Sequence, residues 1–180
     1  MNPSIYCVDL DKTLIRQDTT LELIKVEIRN NPKIVFYIVA ALYHHEWRCF
    51  KLKLATLERL NSIAWQIRPD IETELLRLKK DGTTLYLVTA SQPTVASYFF
   101  EKYNYFSGYI CSNGVETIKG KQKFRKMQAF FGDQKYAYIG DSFHDIPIWR
   151  EIGQAILPKE KKLLALYLRV FISDIIVTVI

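Results

Sequence analysis

At 180 residues the chain is the size of one domain, or one domain with a small insertion, and 49% apolar with 24% charged residues excludes the disordered and collagen-like classes. A net charge of +6 suits an anionic partner, but the lysines and arginines are spread along the chain without a nucleic-acid reader motif, so nucleic acid is not expected. Cys7, Cys49 and Cys111 are widely spaced and form no CxxC pair, which argues against a disulfide framework and a zinc site. The N-terminal MNPSIYCVDLD has no basic region followed by a long apolar stretch, so no secretory signal is expected and a cytoplasmic setting is the default.

In chain order, Ile5 to Leu10 reads as a short apolar strand that breaks into the polar cluster Asp11-Lys12-Thr13. From Asp18 to about Ile67 the pattern turns helical, with Leu21, Ile24, Ile28, Leu52, Leu57 and Leu60 at helical spacing, and Asn30-Asn31-Pro32 marks a turn. Ile34 to Tyr43 is strongly apolar but only about half of the ~20 residues that cross a bilayer. A buried helix is preferred there over a contact with a membrane surface. Pro69 to Lys80 predicts a helix stopped by Asp81-Gly82, followed by a strand at Thr84 to Val88. A helix over Pro93 to Tyr103, a strand at Tyr109 to Cys111, a helix over Lys121 to Phe131 and a strand at Tyr136 to Ile139 complete the pattern. Leu163 to Ile180 is apolar apart from Arg169 and Asp174. A closing helix and strand, a membrane-proximal segment and a join to something further all remain open for it.

Alternating strands and helices imply an α/β fold, Rossmann-like, with a parallel sheet covered by helices on both faces. Residues 1–14 and 69–180 are expected to form this core and residues 15–68 a small all-helical cap insert. Active sites of such folds lie at the carboxyl ends of the strands. Asp9/Asp11, Thr89/Ser91 and Asp141/Asp145 all fall at such ends.

Asp9 and Asp11 share a face if the strand is regular. Two adjacent carboxylates are costly to bury unless a cation neutralises them or one holds a proton. A hard divalent ion with oxygen ligands, Mg²⁺ above all, meets that need.

The string Val8-Asp9-Leu10-Asp11-Lys12-Thr13-Leu14 resembles the first motif of the haloacid dehalogenase superfamily, DxDx(T/V). Leu85 to Ser91 resembles the second motif, an apolar strand ending in Thr or Ser, and Ile118-Lys119-Gly120 resembles the third, a lysine, in the form found in phosphoserine phosphatase-like members. Ile139-Gly140-Asp141-Ser142-Phe143-His144-Asp145 resembles the fourth, GDxxxD. The resemblance implies a phosphatase in which Asp9 attacks phosphorus and Asp11 acts as general acid and base. It further implies phosphate contacts from Thr89, the backbone at Ala90 and Lys119, with Lys123 as the alternative lysine. Mg²⁺ would be held by Asp9, Asp11 and Asp141, with Asp145 and Thr13 in support; Thr13 reads equally as a helix cap. Lys12 stands where many members carry glycine or a small residue, and only its backbone is expected to matter. Asp18 matches a substrate-selecting acid or caps the next helix, and His144 is expected outside the site.

Ser112 to Arg150, with KGxxK and GDSxxDxPxWR, also resembles the phosphatase-like domain that precedes UbiA-type prenyltransferases. The leading expectation is hydrolysis of a small phosphorylated metabolite. The alternatives are phosphoryl transfer to an acceptor, and a docking domain associated with a membrane or a membrane enzyme. Arg16, Asp18, His44, His45 and Arg48 are candidates for reading the substrate.

Overall fold

The first strand, β1 (Ile5–Val8), alternates between two cores: Ile5 and Cys7 face one, Tyr6 and Val8 the other. A strand apolar on both sides belongs in the middle of a covered parallel sheet, and β1 is central here. The computed structural model describes residues 3–113, 116–172 and 174–180, with the backbone alone at Arg48. Its remaining strands are β2 (Thr84–Val88), β3 (Gly108–Ile110), β4 (Tyr136–Ile139), β5 (Gln154–Leu157) and β6 (Ile176–Val179). They form one six-stranded sheet in the order β3-β2-β1-β4-β5-β6 with neighbours parallel.

The chain steps outward from β1 to β2 and β3, then returns to place β4 on the other side of β1. The crevice between the carboxyl ends of β1 and β4 is therefore the topological switch point, where ligands bind in such sheets. The register aligns Val8 with both Leu87 and Ile139, so the residues after the three strands emerge side by side.

Four helices lie between β1 and the next core helix: α1 (Thr19–Asn30), α2 (Ile34–Tyr43), α3 (Trp47–Leu54) and α4 (Leu57–Asn61). Then come α5 (Pro69–Lys80), α6 (Pro93–Lys102), α7 (Lys121–Phe131), α8 (Ile146–Ile152) and α9 (Lys162–Phe171). Leu75 of α5 and Phe99 of α6 pack on one face of the sheet, and Met127 of α7, Trp149 of α8 and Leu168 of α9 on the other, all fully buried. Each such side chain contributes roughly 1.5–3 kcal/mol of burial. The α5 helix has proline in its first turn and basic residues in its last, as its sequence predicts.

Several expectations are corrected. The first strand ends at Val8, so Asp9 and Leu10 lie beyond it and the aspartates emerge on a turn. The α2 helix is not buried: Ile34, Ile38 and Ala41 turn inward, but Phe36 is 77% and Tyr43 80% exposed. The C-terminal stretch closes the sheet as α9 and β6, with Leu164, Ala165 and Leu168 inward and Leu163, Leu166, Val170 and Phe171 exposed. No helix among the described residues is long and apolar enough to cross a membrane.

Candidate active site

Asp9 directly follows β1 and is tied to its neighbour strand by Asp9 N donating to Ile139 O at 3.0 Å. The chain then reverses: Lys12 sits at φ 59° and its N–H donates to Gln17 O. A left-handed residue here explains why glycine suits this position, and the Lys12 side chain reaches toward Asp18, its Nζ 3.7 Å from Oδ2. Leu14 N donates back to Asp9 O at 3.1 Å, which fixes the loop against the strand end.

The Asp11 carboxylate is held by the start of α1 and by the loop after β2. Its Oδ1 accepts from Thr19 N at 2.6 Å, at the start of α1, and its Oδ2 from Ser91 Oγ at 3.0 Å. Thr19 Oγ1 and Ser91 Oγ are themselves hydrogen-bonded at 2.9 Å. Burial raises the Asp11 pKa and the Thr19 hydrogen bond opposes it, with the net shift upward. A carboxyl whose pKa is raised keeps its proton to higher pH than an ordinary aspartate, which suits a group that must first carry a proton and then donate it.

Three other carboxylates meet. Asp9, Asp141 and Asp145, all buried, each present an oxygen within 4.8 Å of the others. Asp141 follows β4, and Asp145 lies a turn later in the short 3₁₀ segment Phe143–Asp145. Ser142 N donates to Asp145 Oδ2 at 3.2 Å and Ser142 Oγ accepts from His144 N at 3.1 Å, a reciprocal cap that aims Asp145 inward. Gly140 is required by this approach, since a Cβ there would lie 2.6 Å from Tyr138 Cε1 and 2.7 Å from Asp145 Oδ2.

A buried lysine joins them. Lys123 Nζ donates to Asp9 Oδ1 at 2.8 Å and to Tyr138 Oη at 2.7 Å, and Tyr138 Oη donates to Asp145 Oδ1 at 3.0 Å. Burial alone would favour loss of the Lys123 proton, but Asp9 and Asp145 outweigh it and its pKa is raised. Burial, with Asp145 and Asp9 beside it, holds the Tyr138 phenol protonated. Burial also pushes the Asp9 carboxyl upward, the nearby Lys123 opposing and Asp145 adding to the shift. On the other flank, Lys161 Nζ lies 2.7 Å from Asp141 Oδ2.

Asp9, Asp11, Lys123, Asp141, Asp145 and Lys161 line a cavity of about 640 Å³ together with Lys12, Asp18, Ala90, Lys119 and His144. The expected site residues distribute unevenly around it. Lys119 was the expected motif lysine, yet it is exposed at the cavity rim, whereas Lys123 carries the contact to Asp9. The reason is helical phase: Gly120 turns the chain at φ 52°, α7 starts at Lys121, and Lys123 falls on its inward face with Met127. Thr89 is fully buried with its hydroxyl accepting from Ser91 N at 3.0 Å, and Ala90 supplies the wall in front of it. The third carboxylate of the acidic cluster is that of Asp145 instead of Asp11. Thr13 Oγ1 is buried without a hydrogen-bond partner among the described residues, so there the hydroxyl neither caps a helix nor holds Asp9. Asp18 caps α1, accepting from Leu21 N at 3.1 Å, and also lines the cavity.

Of the substrate-reading candidates, Arg16 Nη1 lies 3.5 Å from Glu160 and His44 and His45 are exposed where α2 ends, while the Arg48 side chain lies outside the described residues. Sequence reasoning passed over Tyr138, Thr19, Lys51 and Lys161. Burial lowers the pKa of Lys51 on α3, and the charges of Asp11 and Lys119 both reach it. A tyrosine inside an apolar strand and a lysine after a proline turn carry no local pattern that marks them as site residues.

The donor set fits a divalent cation: three buried carboxylate oxygens within a few ångströms, hard ligands all. With this geometry the comparisons can be read. A HAD family hydrolase from Salmonella enterica subsp. enterica serovar Typhi superposes with a TM-score of 0.68 at 15% identity, covering 91% of this chain and 65% of that one. A phosphoserine phosphatase captured as an analogue of its phospho-aspartyl intermediate gives 0.63 at 14% identity, covering 99% and 94%.

The fold is that of the haloacid dehalogenase-type hydrolases.

A protein of unknown function from Bordetella pertussis Tohama I shares this HAD fold over 99% of both chains, with a TM-score of 0.75 and 13% identity. No family profile matches the sequence. The uncharacterized protein y4nM of Sinorhizobium fredii is 27% identical over 149 residues, covering 83% of this chain. The match spans 28% of the length of y4nM.

Proposed function

We propose that the chain hydrolyses a small phosphomonoester with the help of Mg²⁺, through a phosphoryl group carried transiently on Asp9. The observation that carries this reading is the meeting of Asp9, Asp141 and Asp145 with a buried Lys123 at the switch point of the sheet. Mg²⁺ bound to Asp9, Asp141 and Asp145 would neutralise charge between the carboxylates and the incoming phosphate.

Asp9 attacks phosphorus through the carboxylate oxygen facing the cavity. Lys123 holds the other oxygen at 2.8 Å, so the nucleophile is oriented and the charge gathering on the phosphoryl group has a cation beside it. Asp11 gives its proton to the departing ester oxygen. Its raised pKa suits that task, and the Thr19 and Ser91 hydrogen bonds keep the carboxyl aimed from the α1 side. In the second half Asp11 takes a proton from water, which attacks phosphorus and frees Asp9. Lys119 and the Ala90 backbone line the wall where phosphate oxygens would sit. Helices α1 to α4 would act as the cap, with Thr19 donating to Asp11 and Lys51 close enough for the charge of Asp11 to reach it.

Phosphate release from a panel of phosphomonoesters, measured with Mg²⁺ and with EDTA, tests the reading. Metal-dependent turnover of at least one ester supports it. Silence across a broad panel with saturating Mg²⁺ counts against it.

A further inference from the structure

The α2 helix presents an apolar stripe to solvent that the phosphatase reading does not use. Val35, Phe36, Val39, Leu42 and Tyr43 lie at spacings of three and four, and each is between 45% and 80% exposed. The helix carries no charged residue over its 10 positions. Cations surround it instead: Arg29 and Lys33 are exposed at its approach and Lys53 is exposed on the neighbouring α3. From 29 to 53 the sequence contains five lysines and arginines against one acidic residue, Glu46.

We propose that α2 lies on the surface of an anionic lipid bilayer, with the stripe from Val35 to Tyr43 entering the headgroup boundary and Arg29, Lys33 and Lys53 contacting lipid phosphates. An interfacial helix needs this division between apolar, aromatic-rich contact and a cationic surround. A helix of this length spans only ~15 Å and lies on the bilayer without crossing it. A protein partner is disfavoured by the rim, because lysine is depleted in protein interfaces and an isolated stripe on one short helix falls short of the ~800 Å² that a stable interface takes from each side. The net charge of +6 adds long-range attraction to the same surface.

Flotation of the 180-residue chain with vesicles tests the proposal, comparing phosphatidylcholine alone with phosphatidylcholine plus phosphatidylglycerol, at low and high salt. The chain is expected to float with the anionic vesicles at low salt and to detach as salt rises. Phe36→Asp combined with Val39→Asp should lower the partition at least about tenfold, and Lys33→Glu combined with Lys53→Glu should abolish the preference for phosphatidylglycerol. Both variants change exposed side chains, and an unaltered circular-dichroism melt confirms that they fold. The proposal is overturned if the wild type stays at the bottom of the gradient. It is equally overturned if the Phe36/Val39 variant floats as well as wild type, or if light scattering without vesicles shows a dimer that this variant splits.

Discussion

Lys123 Nζ lies 2.8 Å from Asp9 Oδ1, although the two residues are 114 positions apart. The contact joins the first turn of α7 to the end of β1, and through Tyr138 it continues to Asp145. A single buried ammonium therefore balances two of the carboxylates that converge on the cavity.

Replacing that ammonium tests the arrangement. Lys123→Ala leaves Asp9 and Asp145 buried without their shared cation, and kcat is expected to fall about 10²–10³-fold. Lys119→Ala, at the exposed rim, is expected to raise KM with little change in kcat. Steady-state kinetics of the two variants on one substrate separates the roles; the reverse ranking would make Lys119 the working lysine.

Asp9→Asn should abolish turnover while stabilising the metal-free protein. Burial raises the folded pKa of Asp9 to about 7 from an ordinary value of 3.8, so between those pH values the folded state holds a proton that the unfolded state has lost. Stability of the metal-free protein thus falls as pH rises through that window, and the cost is fully present above it. Asparagine removes the cost, and Tm in EDTA at mildly alkaline pH should rise by about 2–4 °C for each kcal/mol relieved. At low pH, where wild-type Asp9 is protonated in both states, the gain should shrink. Thermal melts across pH check both parts.

Lys161 competes for Asp141. Its Nζ lies 2.7 Å from Oδ2 and its side chain is 30% exposed, so the pair is worth at most about 0.5–1 kcal/mol. Lys161→Ala is expected to tighten Mg²⁺ roughly two- to fivefold, read by titration calorimetry on the metal-free protein. Unchanged or weaker binding would mean that Lys161 assists the cation.

Gly140→Ala forces a methyl group against Tyr138 and Asp145 at 2.6 and 2.7 Å. Both neighbours belong to the hydrogen-bonded chain from Lys123, so they cannot move apart cheaply. A loss of about 1–3 kcal/mol in stability is expected, by denaturant melts, together with reduced turnover.

The chemistry was legible where it sits at strand ends. Asp9 and Asp141 fall where an apolar run stops, and strand periodicity finds those places without knowledge of the fold, whereas Asp145 lies a turn further on in the 3₁₀ segment. Lys123 was harder, because Lys119 and Lys123 are one helical turn apart and only the Gly120 turn decides which one faces the sheet. Tyr138 looks like one more apolar strand residue until Lys123 is packed against it. The short β5 and the helix before it were missed, since Gln154–Leu157 offers four residues and too little pattern. The exposure of α2 was illegible for a different reason. Apolar composition records that a surface prefers to leave water, and only the packing of the neighbouring helices shows that this one is left uncovered by the described residues.

The proposed mechanism requires above all that Asp9 is phosphorylated during turnover. Rapid acid quench of the Asp11→Asn variant with p-nitrophenyl phosphate and Mg²⁺, followed by peptide mass spectrometry, tests it most directly, because loss of the general base should let the intermediate accumulate. A phosphoryl group on the peptide containing Asp9, absent in EDTA and in the doubly substituted Asp9→Asn/Asp11→Asn protein, is the predicted result. An adduct on another residue, or none while the wild type turns over the same substrate, would contradict the account.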